Sequence, residues 1–323
     1  MSKLAFQFLE KFNSDGNFVL SPKNIRDCFL PLFKYSDESM IKKLEDFFSF
    51  KKGEEKTPDL DENAKSVISL WISKKEAEGK TDLESEFITE FVDFAKASTV
   101  EEINTFVKDY TSGKIDKAVE SIPQDCPLAV VSAIYFKGGW KVKFNEAETK
   151  KQPFYSNGKA SSCEMMVMKS KYGYYEAEGI TACKVPYSNG FSMIAVLSEK
   201  GLQEADYNKI SFAEREVVLM MPKFKISSSL DLLPFITEKV DPKKFSYKSI
   251  QGLEVGSITH KAFVETDEKG TEAAAVTFLI TKRSMSMPVA PVIFRLDKPF
   301  NFFIVNDSTN EIWFLGKINK PSA

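Results

Sequence analysis

The run Leu128–Phe136, LAVVSAIYF, constrains the fold more than any other stretch of the chain. All of its residues except Ser132 are apolar, which is typical of a strand that is covered on both faces. Gly138 and Gly139 follow directly and predict a turn. The sequence therefore predicts a sheet interior at this run, with other elements packed on both sides of it.

The segments before this strand have mostly helical signals. Ser21-Pro22 predicts an N-cap followed by proline at the first position of a helix. Residues 81–84, Thr-Asp-Leu-Glu, have the pattern of a capping box and predict a helix that continues through 87–91. A second capping box at 99–102, Thr-Val-Glu-Glu, predicts a helix that stops at Gly113.

Beyond this region the chain changes to short apolar segments that are bounded by turn residues and predict strands. These segments are 181–187, 191–198, 217–221, 292–296, 300–305 and 312–315. Helices followed by a run of strands indicate the α+β class. No linker divides the chain convincingly, so we expect a single domain.

Charge and apolar patterning argue against several classes of partner. The 44 basic and 46 acidic residues balance each other, which argues against a nucleic-acid partner. No stretch reaches the roughly 18 apolar residues of a membrane span, and the first residues, MSKLAFQFLEKF, have no secretory signal pattern. We therefore expect a cytoplasmic protein with no membrane partner, and unconventional secretion stays open. The four cysteines lack CxxC spacing, which favours reduced, buried thiols.

The sequence lacks the motifs of the common enzyme classes. His260 is the single histidine of the chain, and no GxSxG serine elbow accompanies it. No GxGxxG, Walker or HExxH motif is present either. We expect no enzymatic activity, no cofactor and no metal, and we interpret His260 as a buried imidazole whose two nitrogens both need partners.

The segment 260–291 has an ambiguous middle part. It begins as an alternating strand pattern and ends as an exposed loop with prolines. Residues 270–277, GTEAAAVT, resemble a helix start. In an extended conformation, however, one face would contain only the small side chains of Thr271, Ala273, Ala275 and Thr277. The residues alone leave both conformations open.

A set of short motifs occurs in a specific order along nearly the whole chain. They are NFVLSP at 17–22, EINTFV at 102–107, TSGKI at 111–115, AIYFKG at 133–138, PY at 186–187, MPKFK at 221–225, HKA at 260–262, EKGTEAAA at 268–275, KPF at 298–300 and FLGK at 314–317. Each motif is weak alone, but the ordered set is specific. The chain resembles the serpins, the serine protease inhibitor family.

The resemblance implies one serpin domain, residues 1–323, with an α+β fold of three β-sheets and about eight or nine helices. It places an exposed reactive loop at about 268–291. It further implies a monomeric suicide-substrate inhibitor whose partner is a serine protease. The protease cleaves the loop and is trapped as its acyl-enzyme while the hinge inserts into the main sheet. The alternative is a non-inhibitory serpin with a storage, chaperone or carrier role.

The resemblance also defines the hinge, which separates these two functions. It consists of Gly270, Thr271, Glu272, Ala273, Ala274, Ala275 and Thr277. Non-inhibitory serpins tend to have bulky, charged or proline residues here, and this chain has none on the inserting face. We therefore expect inhibition, driven by free energy that is stored in the native fold and released on insertion.

The reactive bond has three candidate positions, of which Met285–Ser286 is the third choice. The family's commonest loop length places it at Ser284–Met285. Side-chain chemistry favours Arg283–Ser284, because arginine offers an acidic specificity pocket a bidentate partner. We expect Arg283–Ser284 and a trypsin-like target. The two alternative bonds would suit elastase- or chymotrypsin-like proteases.

Two further sites follow from the resemblance. The shutter, a polar cluster beneath the centre of the main sheet, would contain Ser21, Asn24, Asn104, Ser132 and His260. Ser132 stands where the family usually has asparagine, so we expect its shorter side chain to bond His260 less firmly. Trp140 would lie at the breach, the part of the main sheet where insertion starts.

Overall fold

The computed structural model describes residues 2–12, 16–50, 64–80, 83, 87–238, 240–241, 243, 245–271 and 290–322. Its α-helices are α1 (Ser2–Phe12), α2 (Pro22–Asp27), α3 (Leu30–Tyr35), α4 (Glu38–Phe48), α5 (Lys74–Ala77), α6 (Ser98–Tyr110), α7 (Glu204–Asn208) and α8 (Leu233–Thr237), and Glu146–Glu148 forms a 3-10 helix. Its strands are β1 (Phe18–Leu20), β2 (Ala64–Ser73), β3 (Ile88–Val92), β4 (Leu128–Phe136), β5 (Gly138–Gly139), β6 (Lys150–Ser156), β7 (Lys159–Ala177), β8 (Ile180–Pro186), β9 (Phe191–Ser198), β10 (Ala213–Pro222), β11 (Phe224–Asp231), β12 (Phe245–Tyr247), β13 (Ile250–Leu253), β14 (Val255–Thr266), β15 (Gly270–Thr271), β16 (Val292–Arg295), β17 (Phe300–Asn306) and β18 (Ile312–Ile318).

The chain forms two compact units. The first contains Met1–Val19, Phe136–Ser227 and Val264–Ala323, and the second contains Leu20–Tyr135 and Ser228–Phe263. The expectation of one domain over residues 1–323 stays a prediction.

The second unit is built on a five-stranded sheet with the order β11-β14-β4-β2-β3. All nine residues of β4 are buried, as a strand with neighbours on both edges and layers on both faces requires. β14 runs parallel to β4 in this sheet, with His260 opposite Ser132. The predicted buried central strand is therefore confirmed.

Helix α6 shares a hydrophobic core with this sheet. Ile103 and Val107 of the helix pack with Trp71, Val131 and Phe263. The other confirmed helix signal is the start of α2, where Ser21 Oγ accepts from the backbone N–H of Asn24 at 3.1 Å and Pro22 begins the helix.

The capping-box predictions need two corrections. Ile88–Val92 forms the strand β3, parallel to β2, so the predicted helix through 87–91 is wrong. The capping residues of that predicted helix, at 81, 82 and 84, lie outside the described residues. Pairing with β2 supplies backbone hydrogen bonds along one edge of this segment, and tertiary context overrides local propensity. α6 is present but begins at Ser98, and the Thr99 hydroxyl donates to the Asp93 carbonyl at 2.8 Å instead of capping the helix.

The first unit contains a nine-stranded sheet with the order β1-β18-β17-β9-β8-β7-β10-β16, and β6 also pairs with β7. β7 is 19 residues long. Its earlier part pairs with β6, its middle with β10 and its last residues with β8. Divided at β7, this array counts as two sheets, and with the five-stranded sheet it accounts for the three that were expected.

The strands predicted after position 180 are all present in the structure. The largest boundary difference is at β10, which begins at 213 where 217 was predicted. Aromatic side chains fill the interior of this unit: the ring of Phe136 lies 4.9 Å from that of Tyr187, 5.5 Å from that of Phe191 and 5.9 Å from that of Phe314. Within the described ranges, no helix has the length and apolar character needed to cross a membrane.

Candidate functional site

His260 forms a buried hydrogen-bonded cluster with Ser21 and Ser132, and all three residues are 0% exposed. The backbone N–H of Ser21 lies 3.1 Å from His260 Nε2, and Ser132 Oγ lies 2.9 Å from His260 Nδ1. A backbone N–H can only donate, so Nε2 is the acceptor and the ring proton is assigned to Nδ1, which donates to Ser132. Because His260 and Ser132 face each other in register, this bond links β14 directly to β4.

The histidine of this cluster is neutral. Burial lowers the pKa of His260 to about 3 from its ordinary 6.5, because the charged form loses its hydration. Both ring nitrogens have partners, as a buried imidazole needs. The bond to Ser132 has an ordinary length, because the two strands are direct neighbours and a short hydroxyl spans the gap. The expectation that Ser132 bonds His260 less firmly than an asparagine would stays a prediction.

Asn24 lies next to this cluster but bonds elsewhere. Its backbone N–H donates to Ser21 Oγ, and its side-chain Nδ2 donates to Ser66 Oγ at 2.7 Å. Its Oδ1 atom is buried and has no hydrogen-bond partner among the described residues. Asn24 therefore supports the segment that bears Ser21 and does not bond the imidazole.

Asn104 lies in a different place from the one expected. Its Oδ1 accepts from the backbone N–H groups of Ala118 at 2.8 Å and Val119 at 3.0 Å, and its Nδ2 donates to the Val119 carbonyl at 2.9 Å. It fastens the segment that follows α6 back onto the helix. Its described hydrogen bonds all go to this segment, and none goes to His260.

Trp140 is held by the turn that follows β14. Its indole N–H donates to the carbonyl of Asp267 at 2.9 Å, and its backbone N–H donates to the carbonyl of Lys269 at 3.0 Å. The indole stacks on Tyr187, with ring centroids 4.3 Å apart and an interplanar angle of 8°. Trp140 thus fixes the turn that leads to the predicted hinge.

A buried carboxylate completes this turn. Glu268 is 7% exposed, and it accepts a hydrogen bond from the Thr149 hydroxyl at 2.7 Å and pairs with Lys223 Nζ at 3.2 Å. Burial alone would raise the pKa of Glu268, but these partners outweigh it and hold the pKa below its ordinary value. Sequence reasoning missed this contact, although Lys223 and Glu268 both lie in motifs that resemble those of the serpins.

Gly270 occupies a position that no other residue fits. Its φ of +127° is in the region that favours glycine, and a Cβ there would lie 2.4 Å from the carbonyl oxygen of Gly138. This close approach allows β15 to pair antiparallel with β5, Gly270 opposite Gly139 and Thr271 opposite Gly138. The first two hinge residues are therefore already in a strand.

The other predicted site residues lie outside the described residues. They are Glu272, Ala273, Ala274, Ala275 and Thr277 of the hinge and Arg283, Ser284 and Met285 of the reactive bond. Among the residues that the structure does describe, no group of three or more His, Cys, Asp or Glu side chains is arranged to hold a metal ion.

Comparison with known proteins identifies the family. The model of the serpin family, described as serine protease inhibitor, matches residues 1–321. Human leukocyte elastase inhibitor is 28% identical over 368 residues, covering 98% of this chain and 96% of that protein. Iripin-2 of Ixodes ricinus is 33% identical over 265 residues, covering 74% of this chain and 66%, slightly less than two thirds, of Iripin-2. The crystal structure of Serpin48 of the insect Tenebrio molitor has a TM-score of 0.83 at 21% identity, covering 99% of this chain and 96% of that one.

The fold and its site define an α+β protein in which a neutral histidine joins two parallel strands of the five-stranded sheet, close in sequence to a turn at Gly270. With the match over residues 1–321, this chain belongs to the serpin family. Serpins generally inhibit serine proteases and are not enzymes themselves, and some members do not inhibit.

Proposed function

We propose that this protein is an inhibitory serpin that traps a serine protease as a suicide substrate. Cleavage of the reactive loop forms an acyl-enzyme, and the hinge 270–277 then inserts as a new strand between β14 and β4. The observation that carries the proposal is the antiparallel pairing of Gly270–Thr271 with Gly138–Gly139. β5 follows β4 after a single residue, so these two rungs support a strand that continues along β4.

Strand direction supports the same step. β14 and β4 are direct neighbours and run parallel, and the turn at Asp267–Gly270 reverses the chain, with the Asp267 N–H donating to the Gly270 carbonyl at 3.0 Å. A strand that leaves this turn runs antiparallel to both neighbours. Insertion would therefore replace one parallel pairing by two antiparallel ones, which are somewhat more stable per residue. This gain is a source of the free energy that insertion releases.

The hinge sequence favours rapid insertion. At period 2 the inserting face would contain Thr271, Ala273, Ala275 and Thr277, all small and uncharged. A charged residue on this face would be buried unpaired at a cost of several kcal/mol. Insertion would then be slower than hydrolysis of the acyl-enzyme, and the inhibitor would become a substrate.

We propose Arg283–Ser284 as the cleaved bond and a trypsin-like protease as the target. The alternative, Ser284–Met285, would suit elastase- or chymotrypsin-like proteases, and the resemblance to leukocyte elastase inhibitor supports including them. The bond is tested by mass spectrometry of the fragment that each protease releases. Full trypsin inhibition by Arg283→Ala would contradict the choice of bond.

Incubation with trypsin, elastase and chymotrypsin tests the mechanism. We expect a covalent complex that survives detergent with at least one of them, and a rise in thermal stability after loop cleavage. Ala273→Arg should be cleaved without forming the complex. Ala274→Arg is the matched control, because its side chain would lie on the opposite face of the inserted strand, and it should still inhibit.

Two results would each contradict part of the proposal. One is cleavage of the wild-type loop with neither complex nor stabilisation, which would favour the storage, chaperone or carrier alternative. The other is equal inhibition by Ala273→Arg and Ala274→Arg, which would contradict insertion in the proposed register.

A further inference from the structure

The tetrapeptide Tyr-Ser-Asn-Gly occurs twice in the chain, at residues 155–158 and 187–190. Each copy contains the turn of a hairpin, the first between β6 and β7 and the second between β8 and β9. Asparagine is thermolabile, above all before glycine, because glycine has no side chain to hinder attack of its backbone nitrogen on the asparagine amide. The identical sequences give both asparagines the same intrinsic reactivity, so the fold determines how they differ.

The reaction at the second copy is a deamidation. The backbone nitrogen of Gly190 attacks Cγ of Asn189, a C–N bond forms, and ammonia leaves with the amide nitrogen and the Gly190 proton, which completes a five-membered succinimide. Water then opens the ring at one of its two carbonyls and gives aspartate or isoaspartate, so no oxidant or reductant is needed. Within the described part of the chain, the Gly190 N–H donates to no acceptor, and its nitrogen is therefore available for this attack.

The two asparagines have different surroundings. Asn157 is exposed and has a φ of +49°. Asn189 is half-buried, and its Nδ2 donates to the carbonyl of Lys137 at 3.0 Å. The Oδ1 of Asn189 is buried and has no hydrogen-bond partner among the residues that the structure describes. A Cβ on Gly138 would lie 3.1 Å from Asn189 Nδ2, so this amide lies directly against β5.

The turn between β8 and β9 supports β5 from the side opposite to the hinge. β15 pairs with β5 on one edge. On the other edge, the Ser188 N–H donates to the Gly139 carbonyl at 2.7 Å, next to the bond from Asn189 to the Lys137 carbonyl. A two-stranded pairing is marginally stable alone, so the position of β5 depends on both of its neighbours.

Deamidation would remove part of this support. The carboxylate of aspartate has no proton to donate to the Lys137 carbonyl, so two oxygens with negative charge would face each other there. Its second oxygen would take the buried position of Oδ1, where the described residues provide no donor. Isoaspartate would also lengthen the backbone of the turn by one atom and disturb the bond from Ser188 to Gly139. Either product displaces β5 from the position in which it pairs with β15.

We propose that Asn189–Gly190 is a site of spontaneous deamidation, and that conversion of Asn189 to aspartate or isoaspartate inactivates the inhibitor as it ages. The modified molecule loses the first pairing of the hinge and is cleaved as a substrate instead of trapping the protease. This inference rests on the proposed inhibitory function and adds an intrinsic limit to the lifetime of the inhibitor.

Ageing of the intact protein at pH 8 and 37 °C tests the reaction itself. Mass spectrometry should detect the change from amide to carboxylate in the peptides that contain residues 155–158 and 187–190. We expect Asn157 to react first, because its exposed amide is not held by a bond like that from Asn189 to Lys137. An Asn189 that stays entirely unmodified after Asn157 has reacted completely overturns the proposal.

Two matched variants test the consequence, because they place the same charge in identical tetrapeptides. Asn189→Asp should raise the number of inhibitor molecules consumed per protease at least about twofold and speed hydrogen exchange of the Ser188 N–H at least about fivefold. Asn157→Asp should behave like the wild type in both measurements, and melting temperatures verify that both variants fold. Equal behaviour of the two variants overturns the proposed consequence.

Functional loss on ageing is measured in Asn157→Gln, which removes the competing site because glutamine would have to form a six-membered ring and reacts far more slowly. Its inhibition should fall in proportion to the modified fraction of Asn189. Full inhibition by material in which most Asn189 is converted overturns the ageing role and leaves the inhibitory function intact. A fresh wild-type protein that forms no complex with any protease counts against inhibition, while hydrogen exchange at Ser188 still decides whether residue 189 supports β5.

Discussion

The neutral state of His260 predicts a specific pH dependence of stability. Its pKa is about 3 in the folded protein against about 6.5 when unfolded. Between these values the unfolded chain binds a proton that the folded chain does not bind. The contribution of His260 to the free energy of unfolding is therefore fully present above pH 6.5 and is lost progressively as the pH falls towards 3.

The magnitude follows from the two pKa values. At pH 7 the imidazole is mostly neutral in the unfolded chain too, so its titration hardly changes the stability. At pH 5 protonation of the unfolded chain alone lowers the free energy of unfolding by about 2 kcal/mol. His260 is the single histidine of the chain, so no other imidazole contributes in this range. Two kcal/mol is a large part of the net stability of an ordinary domain.

Urea unfolding followed by tryptophan fluorescence at pH 7, 6 and 5 measures this effect. His260→Gln is the control variant, because glutamine keeps hydrogen-bonding capacity and does not titrate. The free energy of unfolding should fall by about 2 kcal/mol more in the wild type than in the variant over this range. Equal losses in both proteins would refute the reasoning, because the difference isolates the imidazole from all carboxylates.

Three further predictions concern the turn and α6. Gly270→Ala should lower the free energy of unfolding by at least about 3 kcal/mol in urea titrations, because it adds a clash to backbone strain; Gly252→Ala, where φ is +63° but the space is open, should lose only the strain, and equal losses would contradict the close approach. Glu268→Gln should cost about 1–3 kcal/mol by the same assay, because Lys223 then loses its buried carboxylate partner, although it keeps Glu164 at 3.6 Å; an unchanged stability would show that the pair contributes nothing. Asn104→Ala should increase hydrogen exchange at residues 118–119 at least tenfold by mass spectrometry, since three hydrogen bonds are lost, while unchanged exchange would contradict the fastening role.

Much of the fold could be predicted because burial leaves a direct trace in composition. β4 is recognisable since every residue of it is buried, and apolar runs of this kind have few alternatives. The helix prediction at 87–91 is wrong because it rests on a local capping pattern, whereas β3 forms through pairing with β2, which precedes it in the sequence. Local signals contain no information about such pairing.

The candidate site could be predicted in part for the same reason. Family resemblance predicts that His260, Ser132 and Ser21 lie in one cluster. In the structure both serines are hydrogen-bonded to His260. Asn104 was misplaced because its motif shows that it lies on α6 but not which way it points. The contact between Glu268 and Lys223 joins residues that are 45 positions apart (268 − 223), and no single-sequence pattern marks it.

The assignment of the His260 proton has a consequence for any strand that enters between β14 and β4. Parting these strands breaks the bond to Ser132 but leaves the bond from Ser21, which lies on neither strand. The imidazole therefore keeps its tautomer and presents an N–H donor to the newcomer. An entering strand has to place a carbonyl or hydroxyl oxygen opposite His260 Nδ1. An ammonium group there could not accept the hydrogen bond, because both groups are donors. The imidazole therefore selects for hydrogen-bond acceptors at this position of the entering strand. Backbone carbonyls and threonine hydroxyls meet this requirement.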